Sequence, residues 1–262
     1  MTWVVLGAGL LGLVVGSFLN VVIHRVPRGE SLIHPGSHCP ACGTPIKPWH
    51  NVPVLGWLVL RGRCANCGSP ISVRYPLVEL VTAVLFAAVT WRLAGLSLGS
   101  AIPAYLYFTA IGVALAAIDL DVRRLPNAIV LPSYPVLAGL LAISAAWQHD
   151  WWPLLWAVVG GLALFGLYLV LVLIYPAGMG FGDVRLAGIV GGVTAYLSWS
   201  VFAVGAFAGF LLGAVAGLAV IAARRGDRRT ALPFGPFMIA GALLAIFVGE
   251  PVAAWYLDLL GR

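Results

Sequence analysis

Residues 152–183 read WPLLWAVVGGLALFGLYLVLVLIYPAGMGFGD, an uncharged apolar run that ends in alternating glycines and one carboxylate, Asp183. A run of this length crosses a bilayer, which takes roughly twenty apolar residues in a helix. Gly178, Gly180 and Gly182 leave the backbone free to take conformations closed to other residues, and they let a helix or an extended peptide come close. Asp183 then stands at a membrane edge, where a carboxylate costs a few kcal/mol unless it faces a cavity or a partner. Two readings are open. Asp183 is either a functional carboxylate or the N-cap of the next helix, with its oxygen on a backbone N–H two or three residues on. Asp119, a second carboxylate at a membrane edge, favours the first reading.

The rest of the chain agrees with a membrane setting. Of its 262 residues, 61% are hydrophobic and 9% charged, against about 25% charged in a soluble domain. The net charge of +6 fits topology better than nucleic acid, which the apolar composition excludes as a partner; lipid is the expected surrounding. Apolar spans fall at 3–23, 76–93, 101–118, 128–147, 152–175, 186–198, 200–223 and 233–257. The first lacks a basic n-region and a small-residue cleavage site, so it reads as a retained helix. The fourth is broken by Pro132 and Pro135. The sixth is too short to cross upright and reads as thinned or partly re-entrant. The expectation is an all-α polytopic membrane protein of about eight transmembrane helices. It divides into a first helix (1–23), a cytoplasmic metal-binding module (24–75) and a seven-helix core (76–262).

Charge fixes an expected orientation. With the N-terminus outside, the loops at 24–75, 119–127, 176–185 and 224–232 face the cytoplasm and carry every basic residue except Arg92 and Arg262. Basic residues collect on that side of membrane proteins. Trp147, Trp151 and Trp152 then flank an outer loop as interfacial anchors. Asp119 and Asp183 both land at the cytoplasmic edge. In the seventh span Gly205, Gly209, Gly213 and Gly217 recur every four residues, a stripe for close packing that reads as a contact within the molecule.

All four cysteines lie in the 24–75 loop, as Cys39-Pro-Ala-Cys42-Gly and Cys64-Ala-Asn-Cys67-Gly with 21 residues between. Two such knuckles offer four thiolates to a tetrahedral Zn²⁺, and with every position a Cys the metal is structural. Two disulfides are the competing reading; a cytoplasmic loop, where thiols stay reduced, speaks against it. A polar segment this small gains from a metal what it lacks in core. His24, His34, His38 and His50 flank the module and read as surface residues.

Two carboxylates brought together at a membrane edge cannot both ionise cheaply, so the pair holds a shared proton. The charged member can take a proton from water while the protonated one polarises a scissile carbonyl. Asp119 and Asp183 are 64 positions apart, so only the fold can join them. A proton relay in a transporter is another use of such a pair, and a zinc-bearing membrane scaffold without catalysis is a third reading. Asp121, beside Arg123 and Arg124, is the rival to Asp119 and reads as a solvated ion pair.

Several stretches together resemble the type IV prepilin peptidases. These are Gly16-Ser17-Phe18-Leu19-Asn20 through Pro27, the two cysteine knuckles, Asn51-Val52-Pro53, Leu60-Arg61-Gly62-Arg63 and Arg74-Tyr75-Pro76-Leu77-Val78-Glu79. Ile118-Asp119 with Leu125-Pro126, Gly180-Phe181-Gly182-Asp183 and Pro233-Phe234-Gly235-Pro236 complete the set. The resemblance implies a bifunctional enzyme of the bacterial inner membrane. Its substrates are prepilins and pseudopilins, cut after a glycine at the cytoplasmic face by Asp119 and Asp183. It then methylates the new amino terminus with S-adenosylmethionine. No G-x-G-x-x-G marks a site for that donor, so its residues stay unassigned; Glu79 is a candidate there or for orienting a terminal amine, with a structural ion pair as its other reading. Two positions depart from the pattern: Asn127 stands where the family usually has Asp, and Arg185 where it usually has Lys. Arg presents a planar fork where Lys presents a point charge.

Overall fold

The computed structural model describes residues 1–176, 179–223 and 232–261, and forms two compact units, Met1–Ser97 and Leu98–Arg262. The described residues are helical throughout, apart from turns and two isolated β-bridges. Gly178 and the basic run 224–229 lie outside the described residues.

In the first unit α1 (Thr2–Arg25) packs antiparallel on α3 (Arg74–Gly95), with the short α2 (Leu55–Val59) in the connection between them. A Cβ on Gly12 would stand 2.6 Å from Ala83 Cα, and one on Gly16 2.7 Å from Glu79 Cα. The two backbones therefore meet with no side chain between them, which is how helices gain contact in a solvent as apolar as themselves. Asn20 extends the seam by donating to the Tyr75 carbonyl at 3.1 Å. At the end of α1 the buried Arg25 guanidinium donates to the carbonyls of Ser31 and Pro35, at 2.8 and 2.7 Å. The chain leaving the helix is thereby folded back on it.

The second unit is a bundle of α4 (Ile102–Val122), α5 (Asn127–Gln148), α6 (Trp152–Ile174), α7 (Phe181–Leu197), α8 (Trp199–Ala222) and α9 (Gly235–Leu259). Its tightest pairs are α6 with α7 and α8 with α9. The glycine stripe of α8 faces α9 and the residues that lead into it: Gly205 meets Ala245 and Ala242, Gly209 meets Met238, Gly213 meets Phe234 and Phe237, and Gly217 meets Leu232. The stripe packs within the molecule, as expected. At the crossing, a Cβ on Gly241 would lie 2.5 Å from the Gly209 nitrogen.

Seven helices are long and apolar enough to cross a membrane among the described residues. The eighth, α7, is one unbroken helix of 17 residues, about 25 Å long at 1.5 Å per residue. Most of it is buried, by α5, α6, α8 and α9. Because protein surrounds it, its shortness relative to a hydrocarbon core of about 30 Å is not presented to lipid. It also begins at Phe181, five residues before the expected start, so the Gly-Phe-Gly-Asp motif forms its first turn. Likewise α4 runs through Asp119 to Val122 and ends at Arg123 in the left-handed region.

The expected break in the fourth span does not occur: α5 continues through Pro132 and Pro135. Proline removes a helical donor. The carbonyls freed by Pro132 and Pro135 are those of Ala128 and Leu131, four residues back, so each proline costs one helical bond and leaves the rest of the ladder intact. Trp147, Trp151 and Trp152 are exposed at the end of α5 and the start of α6. This is the opposite end of the bundle from Asp119 and Asp183.

The α8–α9 seam yields a test. Gly241→Ala places a methyl against backbone and is expected to cost about 1–3 kcal/mol by overpacking. Gly217→Ala, whose new methyl meets only Leu232 Cδ1 at 3.7 Å among the described residues, is expected to be neutral or stabilising. Thermal unfolding of both variants in detergent measures the difference.

Candidate active site and metal centre

Four helix ends converge at one end of the second unit: the C-terminus of α4 and the N-termini of α5, α7 and α9. Asp119 lies in the last turn of α4 with 4% of its surface exposed. Its Oδ2 accepts the Gly235 N–H at 3.1 Å, at the first residue of α9. The first N–H groups of a helix have no partner within it and carry its positive dipole end, so a carboxylate is favoured there. Pro236 follows, and a proline in the first turn removes no helical bond.

Asp183 is the third residue of α7, with 9% exposed. Its Oδ2 accepts the Gly180 N–H at 3.0 Å. The carboxylate therefore caps backward onto the residue before the helix, as the acidic residue of a capping box does. It is not the N-cap itself; Gly180 is. The two carboxylates are near enough to repel each other. Asp121, by contrast, is exposed.

Three further residues shape this site, and the sequence did not mark their roles. Leu125 fills the space between the backbone supports of the two carboxylates: a Cβ on Gly182 would meet Leu125 Cβ at 3.1 Å, and one on Gly235 would meet Leu125 Cδ2 at 3.2 Å. The side of Gly182 is therefore occupied by this protein's own leucine. Gly235 supplies the donor to Asp119, and a Cβ there would stand 2.8 Å from the accepting oxygen. Tyr168 of α6 lies in the field of Asp183, with its ring against Phe210 and Phe234 at centroid distances of 5.3 and 6.1 Å. The motifs Leu125-Pro126 and Pro233-Phe234-Gly235-Pro236 pointed toward two of them, Leu125 and Gly235, and nothing pointed to Tyr168.

In the first unit, the two cysteine knuckles repeat one geometry. Cys39 N–H donates to the Thr44 carbonyl and Gly43 N–H to the Cys39 carbonyl, at 3.0 and 2.8 Å. Cys64 with Ser69, and Gly68 with Cys64, do the same at 2.8 and 3.0 Å. Gly43 and Gly68 take φ of 68° and 71°, a left-handed turn that glycine adopts without steric cost. One β-bridge closes each knuckle, His38 to Pro45 and Arg63 to Pro70. The four sulfurs lie within 4.8 Å of one another. A tetrahedron of sulfurs about 2.3 Å from a metal ion has edges of about 3.8 Å, and Cys39 Sγ and Cys67 Sγ are 3.8 Å apart. All four cysteines are free thiols. The Ser69 hydroxyl draws the Cys39 thiol down to about 6, and Thr44 lowers Cys42. Both shifts favour the thiolate that binds metal. No histidine joins the cluster among the described residues; His38 Nδ1 is instead within 2.9 Å of the Gly36 carbonyl. Glu79, 7% exposed, accepts the Val54 N–H at 2.7 Å. It holds a backbone turn at the start of α2.

Fold and sites together define a multi-pass membrane protein that pairs two buried carboxylates at a bundle end and carries a four-thiol cluster able to hold a metal ion. Residues 10–93 match the bacterial peptidase A24 N-terminal domain, and residues 106–222 match the type IV leader peptidase family. The chain is 36% identical to the prepilin leader peptidase/N-methyltransferase of Aeromonas hydrophila, over 95% of this chain and 92% of that protein. It is 33% identical to the one from Pseudomonas aeruginosa, over 96% and 93%, and 34% identical to that of Neisseria gonorrhoeae, over 94% and 91%. No solved structure matches the chain. The chain belongs to the type IV leader peptidase family.

The thiol geometry predicts about one divalent metal ion per chain in reduced, purified protein. Elemental analysis checks it. The paired substitution Cys42→Ser and Cys67→Ser is expected to bring the metal content close to zero while the second unit stays folded.

Proposed function

We propose that this protein is a membrane aspartic endopeptidase that removes the leader of type IV prepilins and pseudopilins, and then N-methylates the exposed amino terminus. Asp119 and Asp183 are the catalytic dyad. The observation that carries this reading is the placement of both carboxylates at one bundle end, each buried and each held by a backbone N–H next to a helix N-terminus. That placement stabilises an ionised member in an apolar site. The other member, sharing the proton, stays neutral. The charged carboxylate takes a proton from the attacking water while the neutral one donates to the oxygen of the scissile carbonyl.

The names of the full-length relatives support both activities. The distribution of basic residues supports a dyad at the cytoplasmic face of the bacterial inner membrane, with the N-terminus outside. A basic leader followed by an apolar helix brings its cleavage point to that depth. Cys39, Cys42, Cys64 and Cys67 hold a structural Zn²⁺, which stabilises the fold of the 24–75 module and takes no part in bond cleavage. S-adenosylmethionine supplies the methyl group.

Asp119→Asn and Asp183→Asn are each expected to lower leader cleavage by at least about a thousandfold, because a catalytic pair acts as a unit. Insertion and thermal unfolding should change little. Asp121→Asn is expected to keep most activity. The assay is incubation with a prepilin and mass analysis of the product. Near wild-type maturation by either dyad variant would remove that residue from the mechanism and favour a scaffold.

The two activities should separate. Cys39→Ser combined with Cys42→Ser is expected to reduce N-terminal methylation more than cleavage, because the bundle does not depend on the metal for its packing. Product scored for both length and methyl mass decides it. Equal loss of both activities, or full methylation, contradicts a separate role for the module.

A further inference from the structure

Asn127 and Arg185, the two positions at which the chain departs from the pattern it resembles, touch each other. The Arg185 Nη1–H donates to Asn127 Oδ1 at 2.5 Å. Seven residues further along the same face of α5, Tyr134 donates its hydroxyl hydrogen to the Arg185 main-chain carbonyl at 2.6 Å. The Arg185 charge also acts on the Tyr134 phenol. Asn127 and Tyr134 are two helical turns apart, so one face of α5 holds Arg185 by its side chain and by its backbone. Gly188 makes this possible, because any Cβ there would collide with the Tyr134 hydroxyl.

The consequence reaches the dyad. Arg185 is two residues past Asp183, in the same opening stretch of α7. The hydrogen bond that Asp183 makes, to Gly180, lies within that stretch and does not fix where α7 stands relative to α4. The Tyr105 hydroxyl of α4 ties α7 further along, at the Val193 carbonyl, and contacts from the segment following Asp119 hold its first turns. Leu125 presses on Gly182, Asn127 takes the Arg185 guanidinium, and Tyr134 takes the Arg185 carbonyl. The chain leaves Asp119 through the left-handed turn at Arg123 and returns as a strap across the start of α7.

We propose that Arg185 is a positioning residue: held by Asn127 and Tyr134, it sets the start of α7 so that Asp183 faces Asp119. This rests on the assignment of those two aspartates as the dyad. An exposed hydrogen-bonded pair contributes little to stability. A shift of about 1 Å in a catalytic group, however, can cost about a hundredfold in rate. The signature of the strap is therefore kinetic.

The test uses full-length protein in detergent, with a prepilin as substrate and initial rates of leader cleavage. Asn127→Ala and Arg185→Ala are each expected to lower kcat by about tenfold or more, with KM within about twofold of wild type. The double variant should fall no further than the worse single one, because both remove the same contact. The exchange Asn127→Asp with Arg185→Lys rebuilds a paired side-chain contact and should return most of the lost kcat. Tyr134→Phe, which keeps the ring and deletes the donor, should lower kcat in the same way; it carries the test if Arg185→Ala does not fold. Additive losses, unchanged kcat, a change confined to KM, or failure of the exchange to rescue would overturn the proposal. Asp183→Asn in the same assay keeps the two ideas apart. Its cleaving substrate would refute the dyad, whereas an inactive Asp183→Asn beside fully active Asn127 and Arg185 variants would refute only the strap.

Discussion

A carboxylate buried in a helical bundle needs a donor, and here the donor for Asp119 is the backbone N–H of Gly235, 116 residues along the chain. Much of the second unit serves that one contact. The start of α9 has to arrive at the end of α4, and it does so without a side chain, since a Cβ on Gly235 would crowd the accepting oxygen at 2.8 Å. The height of α9 is set in turn by its seam with α8, where Gly209 and Gly241 bring the two backbones together. Asp183 meets the same need differently, by reaching back to the residue before its own helix. The two acids therefore sit in similar electrostatic surroundings by unrelated routes, one tertiary and one local.

The bundle holds together by contact rather than by exclusion of water. Lipid chains are as apolar as leucine, so burying a leucine between helices gains little, and close approach of backbones gains more. The tight pairs follow this rule. In α1 and α3, in α6 and α7, and in α8 and α9, small residues line both sides of the seam. In the two seams of the second unit the partners are also neighbours in sequence.

The features legible in the sequence were the local ones. Each cysteine knuckle closes within a few residues, and its Cys-x-x-Cys-Gly pattern states its own geometry. The apolar spans announced themselves by length. Asp119 and Asp183 stood out because charge is costly at membrane depth. The start of α7 was not legible, because an Asp beside a helix start can cap forward as the first residue or backward as the third, and its letter is the same in both. The two prolines of α5 suggested a break because the proline signal does not say that a single backbone bond is lost at each, or that packed neighbours can hold a membrane helix through it. Gly235, Leu125 and Tyr168 act through positions brought together from distant segments, and a single sequence carries no record of that meeting.

The burial of α7 bears on how the protein is made. This helix is 17 residues long, begins with an acid and a base two positions apart, and turns most of its surface toward other helices. It offers a bilayer little on its own account. Its stability comes from α6 on one side and from α8 and α9 on the other, and α8 and α9 are synthesised after it. Residence of α7 in the membrane is thus conditional on partners, and α6 is the one already present when it emerges from the ribosome. A protein arranged this way acquires its central helix as half of a pair, and the end of the bundle that carries both aspartates is completed only when the last helix arrives with Gly235.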